Sequence, residues 1–158
     1  MKKLIALVFS FTMIWACGNS PDNKTPSDAK PVSMVKEKVV SDKGVGEIKD
    51  VKLNDPLDEA SVARGKGFYE LKCAACHKLT SKRVVGPGWE GLTDRRKPEW
   101  IMNMITNVDI MLEKDPEAQK LLEECLTRMP NQNVSVEEAR DILEFIFQND
   151  LDRAAKKS

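Results

Sequence analysis

The chain is expected to fold as an all-α domain, and three observations carry that reading. Apolar residues recur at helical spacing in two segments, Ala118, Leu121, Leu122 and Cys125, then Ala139, Ile142, Leu143 and Ile146. Helix-start signals precede these and two further segments: Asp55-Pro56, Lys97-Pro98-Glu99, Asp115-Pro116-Glu117 and the pair Ser135/Glu138. No convincing strand pattern appears anywhere in the 158 residues.

The elements follow in chain order. Lys2 and Lys3 precede an apolar run from Leu4 to Ala16, which has the length of a signal-peptide core and is short for a membrane span. The run ends at Ile14-Trp15-Ala16-Cys17, which resembles a bacterial lipobox, so residues 1–16 read as a lipoprotein-type signal and Cys17 as the lipidated N-terminus. Trp15 departs from the small residues usual there. An ordinary signal peptide or an uncleaved anchor is the alternative, and each places the domain outside the cytoplasm, in the bacterial cell envelope. Residues 17–54 are rich in Lys, Asp, Ser, Pro and Val without a sustained period, and are expected to form a flexible tether spanning roughly 35 Å. The domain is then expected to occupy residues 55–158.

Asp55 is the expected N-cap of the first helix, with Pro56 at its first position. Gly65, Tyr69 and Cys73 are spaced by four and share one face. A glycine there costs about 1 kcal/mol against alanine, which points to another backbone coming close, the last helix being the candidate. Two middle helices are expected, from Pro98 through Asn107 and from Pro116 through about Thr127. The last helix follows the Ser135/Glu138 capping box.

Chemistry concentrates at Cys73-Ala74-Ala75-Cys76-His77. Two thiols at this spacing can bond both vinyl groups of one haem, and the histidine that follows can donate an imidazole nitrogen to its iron. A zinc site wants a second ligand pair, but His77 is the only histidine and the other cysteines stand far apart. A redox dithiol wants an alternating strand–helix context, which is absent. Four cysteines suggest two disulfides by parity, yet Cys73 and Cys76 go to haem and Cys17 to lipid. Cys125 is left on an apolar helix face, as a buried small hydrophobe or, more sharply, a dimer disulfide or an iron ligand. With no second histidine, the sixth iron ligand falls among Met102, Met104, Met111 and Met129. Met104 lies on an apolar stripe with Trp100, Ile101, Ile105 and Val108, where a core role is the default; Met102 lies off it and Met111 in a loop. Met129, before Pro130, stands in a non-helical stretch ahead of the last helix.

From about Leu57 to Leu151 these features resemble a class I monohaem cytochrome c. The resemblance implies terminal helices crossing around one covalent haem, with Gly65 and Tyr69 against Ile142 and Phe145. It implies that the Pro87 carbonyl of Gly86-Pro87 accepts a hydrogen bond from the proximal imidazole, and that Met129 is the second axial ligand with His77. His/Met ligation raises the potential and leaves iron no open position, which suits electron transfer and not catalysis on a small-molecule substrate. Trp100, Arg95 or Arg96 is a candidate donor to a haem propionate, since a buried propionate needs donors. Arg95-Arg96-Lys97-Pro98-Glu99-Trp100-Ile101, Glu113-Lys114-Asp115-Pro116 and Met129-Pro130-Asn131-Gln132-Asn133 are similar to c-type cytochromes that accompany nitrous oxide reductase in some bacteria.

Formal charge is zero, and about −2 once the signal is removed, which is no footprint for nucleic acid. Seven basic residues (Lys72, Lys78, Lys82, Arg83, Arg95, Arg96, Lys97) crowd one segment against Glu90 and Asp94, a collar able to steer an acidic redox partner, or else an ordinary solvated surface. The expected partners are a membrane quinol-oxidising donor and a terminal reductase or oxidase. A haem catalyst or gas sensor with an open or labile distal site is the rival reading; a haem module serving assembly is a third.

Overall fold

Helices account for all the regular structure that the computed structural model describes, over residues 41–157, apart from one isolated bridge between His77 and Arg83. They are α1 (Glu59–Lys72), α2 (Leu92–Arg95), α3 (Pro98–Thr106), α4 (Val108–Lys114), α5 (Pro116–Cys125) and α6 (Val136–Lys157). The expected signal peptide, Cys17 and most of the expected tether lie outside the described residues.

α1 and α6 form the main crossing, and Gly65 makes it possible. A Cβ on Gly65 would land on the Asp141 carbonyl, so the two backbones touch where a side chain would hold them apart. One turn on, the Tyr69 ring packs 5.4 Å from Phe145 and 5.1 Å from Trp89. Arg64 fastens the crossing from outside, its Nε and Nη2 donating to the two carboxylate oxygens of Asp141 at 2.7 and 2.8 Å. Such a fork-to-fork pair adds geometry as well as energy. The capping box at the start of α6 is present: Glu138 N–H donates to Ser135 Oγ at 3.1 Å, and Ser135 N–H donates to Glu138 Oε2 at 2.8 Å.

Four expectations are corrected. α1 begins after Asp58, not Asp55, because the chain through Leu57 still runs along the domain; the Asp58 carboxylate accepts from Ala60 N–H at 3.1 Å. Residues 41–54, placed in the tether by their polarity, lie on the domain instead, with Val45, Ile48, Val51 and Leu53 packed against its core. The domain therefore extends N-terminally at least to residue 41. Met111 lies in α4 and is fully buried, and Met102, read as off the apolar stripe, is buried too. α3 is covered on nearly every side because residues 43–51 lie against the face that carries Glu99 and Asn103. The single turn α2 and the seven-residue α4 are too short for a periodic pattern to show.

The C-terminal half of α6 holds the loop that precedes α3. Asp150 accepts from Gly91 N–H (2.9 Å), Thr93 N–H (3.1 Å) and Thr93 Oγ1 (2.9 Å). Glu90 meets Arg153 at 2.7 Å and Lys157 at 2.9 Å and accepts from Ser81 N–H at 2.9 Å. Arg153 first, then Lys157, hold the Glu90 carboxyl down to about 2 from its ordinary 4.5. A carboxyl depressed on folding stabilises the fold above its unfolded pKa and ceases to do so as pH falls through the folded value. In urea titrations, wild type should therefore exceed Glu90→Gln in stability by a constant margin above about pH 5, and the margin should close between pH 4.5 and 2. Gly65→Val should cost more, at least about 3 kcal/mol, since two backbones must part; a variant of unchanged stability would contradict the contact.

Candidate haem site

The site grows from the end of α1. Cys73 caps that helix, and the chain makes one further turn in which His77 N–H and Cys76 N–H donate to the Cys73 carbonyl at 2.9 and 3.1 Å. That turn fixes the three motif side chains relative to one another. Tyr69 Oη, brought there by the α1–α6 crossing, donates to the His77 carbonyl at 2.8 Å. The following loop returns along the motif, with Gly86 N–H donating to the Cys76 carbonyl (3.0 Å) and Trp89 N–H to the Lys78 carbonyl (2.8 Å).

The return places the Pro87 carbonyl 2.9 Å from His77 Nδ1. A carbonyl only accepts, so Nδ1 carries the proton and Nε2 is left with the lone pair of the neutral ring. Burial lowers the His77 pKa, partly opposed by the bond to Pro87, so the ring is held in the neutral form that a metal ligand requires. A Cβ on Gly86 would run into the imidazole, which shows how closely the loop backs the ring. Trp89 lies against the same ring, centroids 5.3 Å apart. Burial pushes the Cys73 thiol up to about 11, so at neutral pH it stays protonated.

His77 opens on a cavity of about 430 Å³, a size usual for a bound cofactor. Cys76, Pro87, Arg95, Trp100 and Met129 all line it. Cys73 does not: it is buried in the core beside Tyr69. Two further residues line the cavity. Met104, a candidate ligand for which a core role was the default, is half-buried on the cavity wall, and Cys125, read as a buried hydrophobe or else a dimer disulfide or iron ligand, is a free thiol on the same wall. Both had a readable signal, since each stands one helical turn from an apolar neighbour that also faces the cavity (Ile101, Leu121).

Trp100 is corrected as a propionate donor. Its Nε1–H already donates to Asp115 Oδ1 at 3.1 Å, the carboxylate that also caps α5 through Ala118 N–H, so only the ring serves the cavity. Arg95 stays a candidate, held at the cavity edge by the carbonyls of Gly91 (3.1 Å) and Glu90 (3.0 Å). Arg96 pairs with Glu117 at 2.8 Å and lies over the Trp100 ring. The basic collar is partly neutralised: Lys72 pairs with Glu138 and Arg83 with Glu124, as Arg96 does with Glu117, while Lys78 keeps its charge with Nζ donating to the Ala74 carbonyl.

These residues fit haem c. Cys73 and Cys76 would carry the covalent links, the free Nε2 of His77 would meet iron on the proximal side, and apolar walls would exclude water. A helical domain whose N- and C-terminal helices cross beside such a motif is a class I monohaem cytochrome c domain. The comparisons agree. The Cytochrome c family model matches residues 62–150, and the chain belongs to that family. The solved cytochrome c from Rhodothermus marinus is 34% identical, with a TM-score of 0.66 over 68% of this chain and 91% of that one. An engineered form of it, Rma TDE, is 34% identical with a TM-score of 0.64, over 67% and 91% of the two chains. The engineered protein bound to a carbene intermediate (1-ethoxy-1-oxopropan-2-ylidene) gives 35% and 0.62 over the same shares. No curated protein matches the chain.

With haem bound through His77, the Pro87 bond would make the imidazole a stronger donor, which favours oxidised iron. Gly86→Ala should push the ring off that carbonyl and raise the reduction potential in a potentiometric titration. An unchanged potential would mean that the contact leaves the ligand's basicity untouched.

Proposed function

We propose that this protein is a lipid-anchored, single-haem electron carrier of the bacterial cell envelope, with His77 and Met129 as its axial ligands. The cytochrome c family supplies the coarse statement, a haem-based electron-transfer protein with redox partner proteins. The observation that carries the finer one is the His77 ring, neutral, oriented by Pro87, and facing a cavity that Met129 also lines. When bound, haem supplies a reversible one-electron couple at iron.

The chain's own residues do the rest. Pro87 and Gly86 orient His77. Met129, in the non-helical stretch between α5 and α6, supplies a thioether, and Arg95 a positive edge. Trp89, Trp100, Ile101, Ile105 and Leu112 keep water from the cavity. The signal-like N-terminus and Cys17 support an extracytoplasmic, membrane-held location. The partners we propose are a quinol-oxidising membrane donor and a terminal reductase or oxidase, with nitrous oxide reductase the specific candidate from the sequence resemblance. Because Lys72, Arg83 and Arg96 are paired internally with carboxylates, attraction to an acidic partner rests on the remaining collar charges, Lys78, Lys82, Arg95 and Lys97.

A catalytic or gas-sensing reading requires a labile sixth position. It takes its interest from the engineered relative that holds a carbene intermediate. Nothing in this cavity acts as a distal general acid–base: His77 is the only histidine, and Arg128 is bonded to Asp109 at 2.7 Å.

Spectra separate the readings. The oxidised wild type should show a methionine–iron charge-transfer band, and the reduced form should not respond to carbon monoxide. Met129→Ala should abolish the band, open the reduced iron to carbon monoxide and lower the potential, whereas Met104→Ala should keep the band. The converse pattern would make Met104 the ligand, and a wild type that binds carbon monoxide would favour catalysis or sensing.

A further inference from the structure

Residues 43–54 form a strap that lies outside the stretch matched by the family model, and most of its hydrogen bonds to the helices run from helix side chains to strap backbone. An extended segment laid on helices finds no main-chain partners there, because the helices have used their own. Polar side chains must serve instead. Asn103, 1% exposed, accepts from Ile48 N–H at 3.2 Å and donates to the carbonyls of Lys43 (3.0 Å) and Ile48 (2.9 Å). Glu99 accepts from Val51 N–H at 3.2 Å and pairs with Lys43 Nζ at 3.1 Å. Met111 Sδ takes Val45 N–H at 3.1 Å, and Glu144 takes the Asn54 side-chain amide at 3.3 Å.

Each of these gripping residues has a cavity-lining neighbour one or two places along the same helix: Glu99 and Trp100, Asn103 and Met104, Met111 and Leu112, Glu144 and Ile146. On α3 the strap-facing pair Glu99 and Asn103 and the cavity-facing set Trp100, Ile101, Met104 and Ile105 are centred about 150° apart around the axis, at about 100° per residue. The strap thus grips one side of a helix whose other side is a cavity wall.

We infer that the strap positions the haem cavity wall, and that Asn103 is the positioning residue through which residues 43–48 hold α3 against the cofactor. This rests on the haem reading above. Asn103 touches no cofactor; it acts through the helix that carries Trp100 and Met104. Releasing it leaves one amide and the strap's backbone groups without partners in the interior, a cost that is relieved when the strap lifts and water enters. α3 then loses its backing. Water near iron favours the more highly charged oxidised state, so the potential falls. A wall that opens part of the time also admits an external ligand more readily, in proportion to the open fraction.

The test uses full-length, haem-loaded protein, with imidazole as the external ligand. Asn103→Ala should lower the reduction potential and raise the affinity of the oxidised form for imidazole about tenfold, at a temperature where the variant is fully folded. Gly46→Ala should move both readouts the same way from the strap side, because a Cβ there would strike Asn103 Oδ1. If Asn103→Ala does not fold, Gly46→Ala and the milder Lys43→Met carry the same comparison. Variants with a lower melting temperature but wild-type potential and imidazole affinity would overturn the inference and leave the strap a stabiliser only. A wild type without the methionine band would overturn the Met129 assignment instead; the comparison of variants with wild type would still decide the strap.

Discussion

The backbone contact of Gly65 with Asp141 is the constraint on which the site depends. It lets α1 and α6 approach closely enough for Tyr69 to sit between Phe145 and Trp89. From that seat the Tyr69 hydroxyl holds the His77 carbonyl, so the helix crossing reaches the proposed proximal ligand through one aromatic side chain. The other end of α6 holds the loop that carries Pro87, through Asp150 on Gly91 and Thr93 and through Arg153 and Lys157 on Glu90. The imidazole is therefore positioned from two sides by the same helix. A shift of α6 would move the Tyr69 contact and the Pro87 loop together, leaving their mutual spacing little changed.

Much of this was legible because it depends on local chemistry. The motif at Cys73–His77, the capping box at Ser135 and the glycine four before Tyr69 are signals within one or two helical turns; the capping box and the glycine contact stand in the structure as read, and the motif forms one turn at the end of α1. What escaped depends on contacts distant in sequence. Residues 41–54 carry little apolar bulk, so by composition they cannot repay the entropy of ordering on their own. They order because Asn103, Glu99 and Met111, some fifty to sixty-six residues later, satisfy their backbone. The same contacts bury the polar residues of α3, Glu99 and Asn103, a burial that no local pattern signals. Trp100 was misread for a related reason: its indole N–H is a free donor in the sequence and an occupied one beside Asp115.

Buried polar groups also explain how so small a domain closes a large cavity. An apolar strap would bury more surface, yet it would leave its own N–H and C=O groups facing helices with nothing to offer. Each unpaired group would cost about 1–3 kcal/mol, as much as burying a medium side chain yields. Asn103 answers three of those groups at once. The interior thus accepts three polar side chains, Asn103, Glu99 and Glu144, and gains an additional layer.

The electrostatics around the cavity follow a single pattern. Arg83, Arg96 and Arg128 are each tied to a carboxylate and His77 is neutral, so Arg95, held at the edge by carbonyls, is the chief uncompensated charge beside the space where iron would change its own. Apolar walls penalise the more highly charged oxidised state, and under the proposed His77/Met129 ligation a thioether would act in the same direction. The Pro87 bond would oppose both by strengthening the imidazole donor. On that proposal the potential is a balance in which wall closure and thioether stand against proximal basicity. Two of those three settings depend on parts that hold no iron: the loop that presents Pro87 and the strap behind α3.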